Sequence, residues 1–359
     1  MRIAYVINSM EGGGACAPLP AVVRVLQAEG IRVEVFALLR RDGLGLPALE
    51  RDGVTVHVRD GAEGDHLAAL VWLDATLGAF DPDAIWTSQT RATVLGQMVG
   101  AHRQLPVISW QHNACLKPAN ALLLRVTRRL SDLWIGDSQS VTTLTGRRLR
   151  VPPQRLTSWP LFAADPAAPH ARPWRPGQPL RIGSLGRLHP AQGYDVLIRA
   201  IALLKRQKFS GPAPFEIAIA GQGQARSALQ AAIDAADLSH VTLVGPASQP
   251  RDFLAGLHLY VQPSRREGLC LAAHEAMQAG LPVIVSAVGE MPFSVMDKVS
   301  GLIVTPGDVR DLADALAELL AEPERLAAMG EASRDRTLAR FGAEAFHRNG
   351  ARIVASLRR

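Results

Sequence analysis

Only three cysteines occur in 359 residues, Cys16, Cys115 and Cys270, and no two stand in C-x-x-C spacing. That argues against a disulfide framework or a thiolate zinc site, and isolated thiols read as reduced residues of a cytosolic protein. No apolar stretch approaches the roughly 18 residues a membrane span needs, so any membrane contact is expected to be peripheral. The opening "MRIAYVINSMEGGG" lacks the marks of a signal peptide. Its apolar run is short, alternates like a strand and ends in a glycine loop instead of a cleavage site. Acidic residues are in deficit, 33 against 39 Lys and Arg, for a net charge of +6. This balance favours anionic partners: phosphates, acidic lipid or nucleic acid.

What is present is a globular α/β pattern. Hydrophobic residues make up 48% and charged residues 20%, and the length suits two domains. In the first half "RIAYVIN", "RVEVFALL", "TVHV", "AIWTSQ", "PVISWQH" and "LWIGDS" are short, nearly continuous apolar runs, as parallel strands covered on both faces should be. Helical patterns separate them. The stretch "WPLFAADPAAPHARPWRPGQP" breaks the alternation with prolines 160, 166, 169, 173, 176 and 179. It reads as a linker. Then "LRIGSLG", "FEIAIAG", "VTLVG", "LYVQP", "PVIVSA" and "GLIVTP" restart it. The expected architecture is two doubly wound domains facing each other across a cleft: 1–165, a linker 166–178, 179–340, and a C-terminal helix 341–359. Ligands of such sheets bind beyond the carboxyl ends of the strands.

The candidate sites follow predicted strands. "SMEGGGACA" carries Gly12, Gly13 and Gly14. It matches G-x-G-x-x-A formally, but four residues separate it from the strand, and Glu34 sits inside the second strand instead of ending it. It is either a flexible turn or a loop whose bare backbone approaches an anion. Asp81 and Asp83 form D-x-D, a metal-holding spacing in some sugar-transferring enzymes. They precede a strand and flank Pro82, which favours a turn. In "GSLGRLHPAQGYDVLIRAI" glycines bracket Arg187, a residue able to clamp phosphate oxygens. "PSRREGLCLAAHEAMQAGLPV" places Glu267 at a helix mouth and Glu275 in its early turns, with seven residues between them. Each carboxylate can accept from a sugar diol, with a diphosphate on the helix-mouth amides between them. The plain alternative is a cap at Glu267 and a solvated Glu275.

Together these motifs resemble family 4 of the retaining nucleotide-sugar glycosyltransferases, which have the GT-B fold of two Rossmann-like domains. The likeness lies in "GGG" at 12–14, "GRL…QGYDVLIRA" at 186–200, "IAGQGQARSAL" at 219–229, "VTLVG" at 241–245, "PSRREGLCLAAHEAMQAGLPVIVS" at 263–286 and "SGLIVTPGD" at 300–308. The first half adds only the glycine loop and "WQHN" at 110–113. The resemblance implies that Glu275 holds the nucleotide ribose and Glu267 the transferred sugar. Arg187, Gln192 and the backbone of Gly268, Leu269, Cys270 and Leu271 would bind the diphosphate. His112 would lie near the reacting sugar, and Gly12–Gly14 would close over the phosphates. It also implies a hexose donor, a glycan or lipid-linked acceptor in bacterial polysaccharide or lipopolysaccharide assembly, no cofactor or metal, and no nucleic acid partner.

Two departures stand out. Gln192 replaces the family's usual lysine, and Phe293 stands where glutamate is common. Loss of that lysine leaves an inactive scaffold as the competing reading. If the site turns over, Gln192→Lys is expected to speed it. A dinucleotide oxidoreductase is disfavoured by the glycine-loop spacing. Finally, residues 117–150 hold seven basic and two acidic side chains. Leu123, Val126 and Leu130 share a helical face beside Arg125, Arg128 and Arg129. The segment is either a core-facing helix with a basic outer side or an anchor on an anionic membrane surface.

Overall fold

Arg2–Ile7 (β1) is buried at every position after its first, the pattern of a strand covered on both faces. In a computed structural model, which describes residues 1–12, 16–112 and 116–358, it lies inside a seven-stranded sheet. The other strands are Arg32–Ala37 (β2), Val56–Val58 (β3), Ala84–Ser88 (β4), Val107–Gln111 (β5), Leu133–Gly136 (β6) and Leu156–Ser158 (β7). All pairings are parallel, in the order β3-β2-β1-β4-β5-β6-β7. Helices Leu19–Ala28 (α1), Leu46–Arg51 (α2), His66–Phe80 (α3), Thr90–Arg103 (α4), Pro118–Thr127 (α5) and Gln139–Leu149 (α6) supply the crossovers.

The second half repeats the scheme. Leu180–Leu185 (β8), Phe215–Ala220 (β9), Val241–Gly245 (β10), Leu259–Gln262 (β11), Val283–Ser286 (β12) and Gly301–Val304 (β13) form a parallel sheet ordered β10-β9-β8-β11-β12-β13. Its helices are Tyr194–Arg206 (α7), Arg226–Ala235 (α8), Pro250–Ala255 (α9), Leu271–Gln278 (α10), Met291–Ser294 (α11), Val309–Ala321 (α12) and Arg325–Phe341 (α13). In both sheets the order reverses beside the first strand, β1 or β8. That switch point leaves a crevice at the carboxyl edge, where ligands of such sheets bind.

The chain divides into one unit of residues 1–163 with 344–359 and a second of residues 164–343. The proline-rich residues expected as a linker lie in the second unit. There the Ala171 amide donates to the Ala279 carbonyl at 2.7 Å, and Ala168 and Ala171 are buried. The last helix, Ala343–Leu357 (α14), falls almost wholly in the first unit. Phe346 packs on Trp159, ring centroids 5.2 Å apart. Trp159 in turn stacks on Trp110 at 5.0 Å. Removing so large a buried ring costs about 3–5 kcal/mol, so this contact docks the terminal helix firmly.

The α5 segment turns its apolar face outward. Leu124 is fully buried, whereas Leu122, Leu123, Val126 and Leu130 are exposed. Among the described residues no helix is long and apolar enough to cross a membrane.

Candidate functional site

Two loops of the second unit, after β8 and after β11, run in contact. Gly193, at φ 69°, passes so close that a Cβ there would stand 2.0 Å from the Pro263 carbonyl oxygen. Arg265 ties the loops together. Its amide donates to the Ala191 carbonyl at 2.8 Å, its Nη1 to the Pro190 carbonyl at 2.9 Å, and its two terminal nitrogens to the Asp195 carboxylate at 2.6 Å each. Beyond it the chain turns into α10. Cys270, just ahead of that helix, is left-handed at φ 64°. Among the described residues the amides of Gly268, Leu269, Cys270 and Leu271 donate to no protein acceptor. They leave an unsatisfied helix N-terminus, the arrangement that receives anions.

Glu267 sits beside that mouth. Its Oε1 accepts from Ser264 Oγ at 2.7 Å and from Gln192 Nε2 at 3.2 Å. Burial pushes its carboxyl above the usual range, against the hydrogen bonds of Ser264, Gln192 and the Cys270 thiol and the charge of Arg187. The Glu275 carboxylate makes no hydrogen bond or ion pair among the described residues. Burial raises its carboxyl too, opposed by the charge of Arg251. The Cys270 thiol is pushed well up by burial first, then by Glu267, with a smaller contribution from Glu275. Arg187 is exposed and unpaired among the described residues. The second unit thus gathers Arg187, Gln192, Glu267, Gly268–Leu271 and Glu275. His189 uses Nδ1 to accept the Ala191 amide at 3.1 Å. Phe293 is exposed. Glu290 is buried instead, bonded to Arg340, and its amide donates to the Gly268 carbonyl at 2.9 Å.

His112 and Gly12 belong to the first unit. The His112 Nε2 bonds Ser88 Oγ, and its Nδ1 lies 3.9 Å from Asp137 Oδ2. Burial lowers its pKa to about 4, so the ring is neutral near pH 7. It lines a cavity of about 630 Å³ whose apolar wall is Val94, Leu95, Met98, Leu116 and Leu123. The polar side includes Gln89, Arg91 and Gln111. Among the described residues, Gln89 Oε1, Arg91 Nε, Gln111 Nε2 and His112 Nδ1 are buried with no hydrogen-bond partner. Buried polar atoms are ordinarily paired, so these mark a place for a ligand. Gln89 adds backbone strain, φ 76° and ψ 160°, a region nearly reserved for glycine. Gly12 donates its amide to Asp42 Oδ1 at 2.9 Å; Gly13 and Gly14 lie outside the described residues. Asp81 and Asp83 are used at the amino edge of β1, where Asp81 pairs with the Arg2 guanidinium at 2.7 Å and Asp83 takes the Arg2 amide at 2.6 Å.

Residues 170–336 match the family model described as glycosyl transferases group 1. A D-inositol 3-phosphate glycosyltransferase of Thermobispora bispora is 29% identical, with 92% of this chain and 87% of that one aligned. Residues 170–336 thus belong to a family 4 glycosyltransferase domain, and the chain has the GT-B fold. Another relative of this glycosyltransferase is the GDP-mannose-dependent alpha-(1-6)-phosphatidylinositol monomannoside mannosyltransferase of Mycobacterium tuberculosis. It is 34% identical over 48% of this chain and 47% of its own. The fold is shared with Anabaena HepE, solved with UDP and glucose, at a TM-score of 0.85 and 19% identity over 99% of this chain and 100% of that one.

Sequence reasoning missed Gln262, Ser264 and Asp195 in the second unit of this glycosyltransferase, and Gln89, Arg91 and Gln111 in the first. Each is a common polar residue, and only tertiary contacts or strain set it apart.

Proposed function

We infer that this glycosyltransferase moves a hexose from a nucleotide diphosphate sugar to a glycan or lipid-linked acceptor, with retention of configuration and without a metal. The observation that carries the reading is the run of four undonated amides, Gly268–Leu271, between two carboxylates that burial has made uncomfortable. A diphosphate on those amides and Arg187 would have its ribose diol at Glu275 and its sugar at Glu267. Negative charge grows on the leaving diphosphate as the glycosidic bond breaks. Fixed amides and an arginine stabilise it electrostatically. Neutral His112 and the polar side of the 630 Å³ cavity offer hydrogen bonds to an acceptor. The named relatives act on inositol phosphate or phosphatidylinositol glycans, and HepE holds UDP and glucose. These support a nucleotide sugar donor and a polar, phosphate-bearing acceptor of bacterial glycan assembly.

The exposed Leu122, Leu123, Val126 and Leu130 beside Lys117, Arg125 and Arg129 support peripheral docking on the anionic inner face of a membrane. Co-sedimentation with vesicles checks this. Binding should need anionic lipid and vanish in Leu122→Glu/Val126→Glu; equal binding of wild type and variant would refute it.

The main test is calorimetry with nucleotide diphosphates and their hexoses, followed by NMR of the released sugar. Binding with an α-configured product from an α-linked donor is expected. An inverted product would remove retention, and no nucleotide binding would remove the site.

A further inference from the structure

The hydrogen bonds around Glu267 run one way. Tyr260 OH donates to Gln262 Oε1 at 2.6 Å. Gln262 Nε2 donates to Gln192 Oε1 at 2.9 Å and to Ser264 Oγ at 2.8 Å. Gln192 Nε2 and Ser264 Oγ both end on Glu267 Oε1, at 3.2 and 2.7 Å. An ionised carboxylate only accepts, so the direction of both amides is fixed from that end. Gln192 is also held by its backbone. It closes the 3-10 turn Pro190–Gln192, and Arg265 binds the carbonyls of both Pro190 and Ala191.

We propose that Gln192 is a positioning residue for Glu267: backed by Gln262, its neutral amide fixes the carboxylate oxygen and leaves the negative charge uncancelled for the transferred sugar. This rests on the reading of Glu267 as the carboxylate that faces that sugar. A lysine reaching the same oxygen would pair with it, and the pair would present little net charge where positive charge develops on the sugar. The amide donates a bond about half as strong as a charged one, without that neutralisation. The other groups facing Glu267 do not substitute for it. Arg187 acts on it through its charge alone. Tyr194, Tyr260 and Cys270 are pushed upward by burial and stay protonated. The lysine that the family pattern favours is therefore expected to slow this site.

The experiment compares wild type, Gln192→Lys, Gln192→Met, Gln262→Met and Glu267→Gln. Steady-state transfer or donor hydrolysis is followed across pH. Alongside it, infrared difference titration follows the Glu267 carboxyl, with Glu267→Gln as the blank. Gln192→Met removes a donor to the charged form, so the acid limb moves to higher pH and kcat falls about tenfold, with donor KM changed less than about threefold. Gln192→Lys moves the limb to lower pH and also lowers kcat about tenfold. Gln262→Met shifts both readouts in the direction of Gln192→Met.

A rise in kcat with a fall in donor KM for Gln192→Lys would make this position a phosphate ligand and overturn the proposal. Wild-type kcat and titration in Gln192→Met, beside an inactive Glu267→Gln, would overturn it while the reading of Glu267 survives. Wild-type turnover in Glu267→Gln would remove that reading first. The infrared readout needs no substrate, so an unchanged carboxyl titration in both Gln192 variants overturns the proposal with any donor.

Discussion

The guanidinium of Arg265 meets both carboxylate oxygens of Asp195 at 2.6 Å, across seventy positions of sequence. The pair is partly exposed, so its direct contribution to stability is modest, about 0.5–1 kcal/mol. Its larger effect is geometric, because it sets the loop of Gln192 against the loop of Glu267. Arg265→Ala should lower the unfolding free energy by no more than about 1 kcal/mol, yet reduce turnover roughly tenfold or more. Urea unfolding alongside steady-state kinetics checks both. Parallel, small losses in the two would mean that the clamp has no role beyond the fold.

Glu275 carries opposite expectations for binding and for stability. Its carboxyl is raised by burial and has no protein partner among the described residues. A carboxylate with a raised folded pKa destabilises the fold once pH exceeds its unfolded value. Glu275→Gln should therefore raise Tm near pH 7. If it accepts the ribose diol, the same change should weaken nucleotide diphosphate binding by about 2–3 kcal/mol. The free nucleotide and its sugar form should lose equally. Calorimetry with unchanged affinity would take Glu275 out of the site.

Acidification should weaken the fold before most carboxylates titrate. Burial holds His112, His258 and His274 each at about 4. An unfolded histidine titrates near 6.5, so between about pH 6.5 and 4 the unfolded chain binds protons that the folded chain does not. Stability is then lost as pH falls through that window. His274 donates Nδ1–H to the Cys270 carbonyl and bonds Ser294 Oγ through Nε2, and burial of the ring disfavours its charged form. His274→Gln should flatten the dependence of the urea midpoint between pH 7 and 5. An unchanged slope would mean that His274 opens and titrates normally.

Chelation should leave transfer intact. Asp81 and Asp83 are engaged by Arg2 at the amino edge of β1, the edge opposite to ligand crevices. Transfer in excess EDTA should match the untreated rate, and Asp81→Ala with Asp83→Ala should cost about 1 kcal/mol of stability at most. Loss of activity in EDTA, restored by manganese or magnesium, would establish a metal requirement.

The twelve apolar runs marked in the sequence all become strands, because parallel strands covered on both faces are apolar nearly throughout. β7 escaped notice: Leu156–Ser158 is three residues long and only half-buried. The helix mouth between Glu267 and Glu275 was legible because charge and small residues alternate locally there. The bond from Gln192 to Glu267 was not, since seventy-five positions separate the partners and only the folded loops bring them together. Periodicity also could not say which face of α5 points inward. Leu123 and Leu124 are neighbours in sequence, yet one is exposed and the other fully buried.

The chain enters the second unit near Ala164 and leaves it near Gly342, and these two points pair as a short parallel bridge. Residues 164–343 are thus spliced, end beside end, into a first unit whose last helix is translated after them. On the ribosome the second unit can close while still tethered. The first must wait for its last helix to be made, because Phe346 covers Trp159 and Gly350 leaves no room for a Cβ between Val25 and Trp159. A chain cut before residue 343 would therefore leave its earliest-made half, not its latest, exposed to proteolysis.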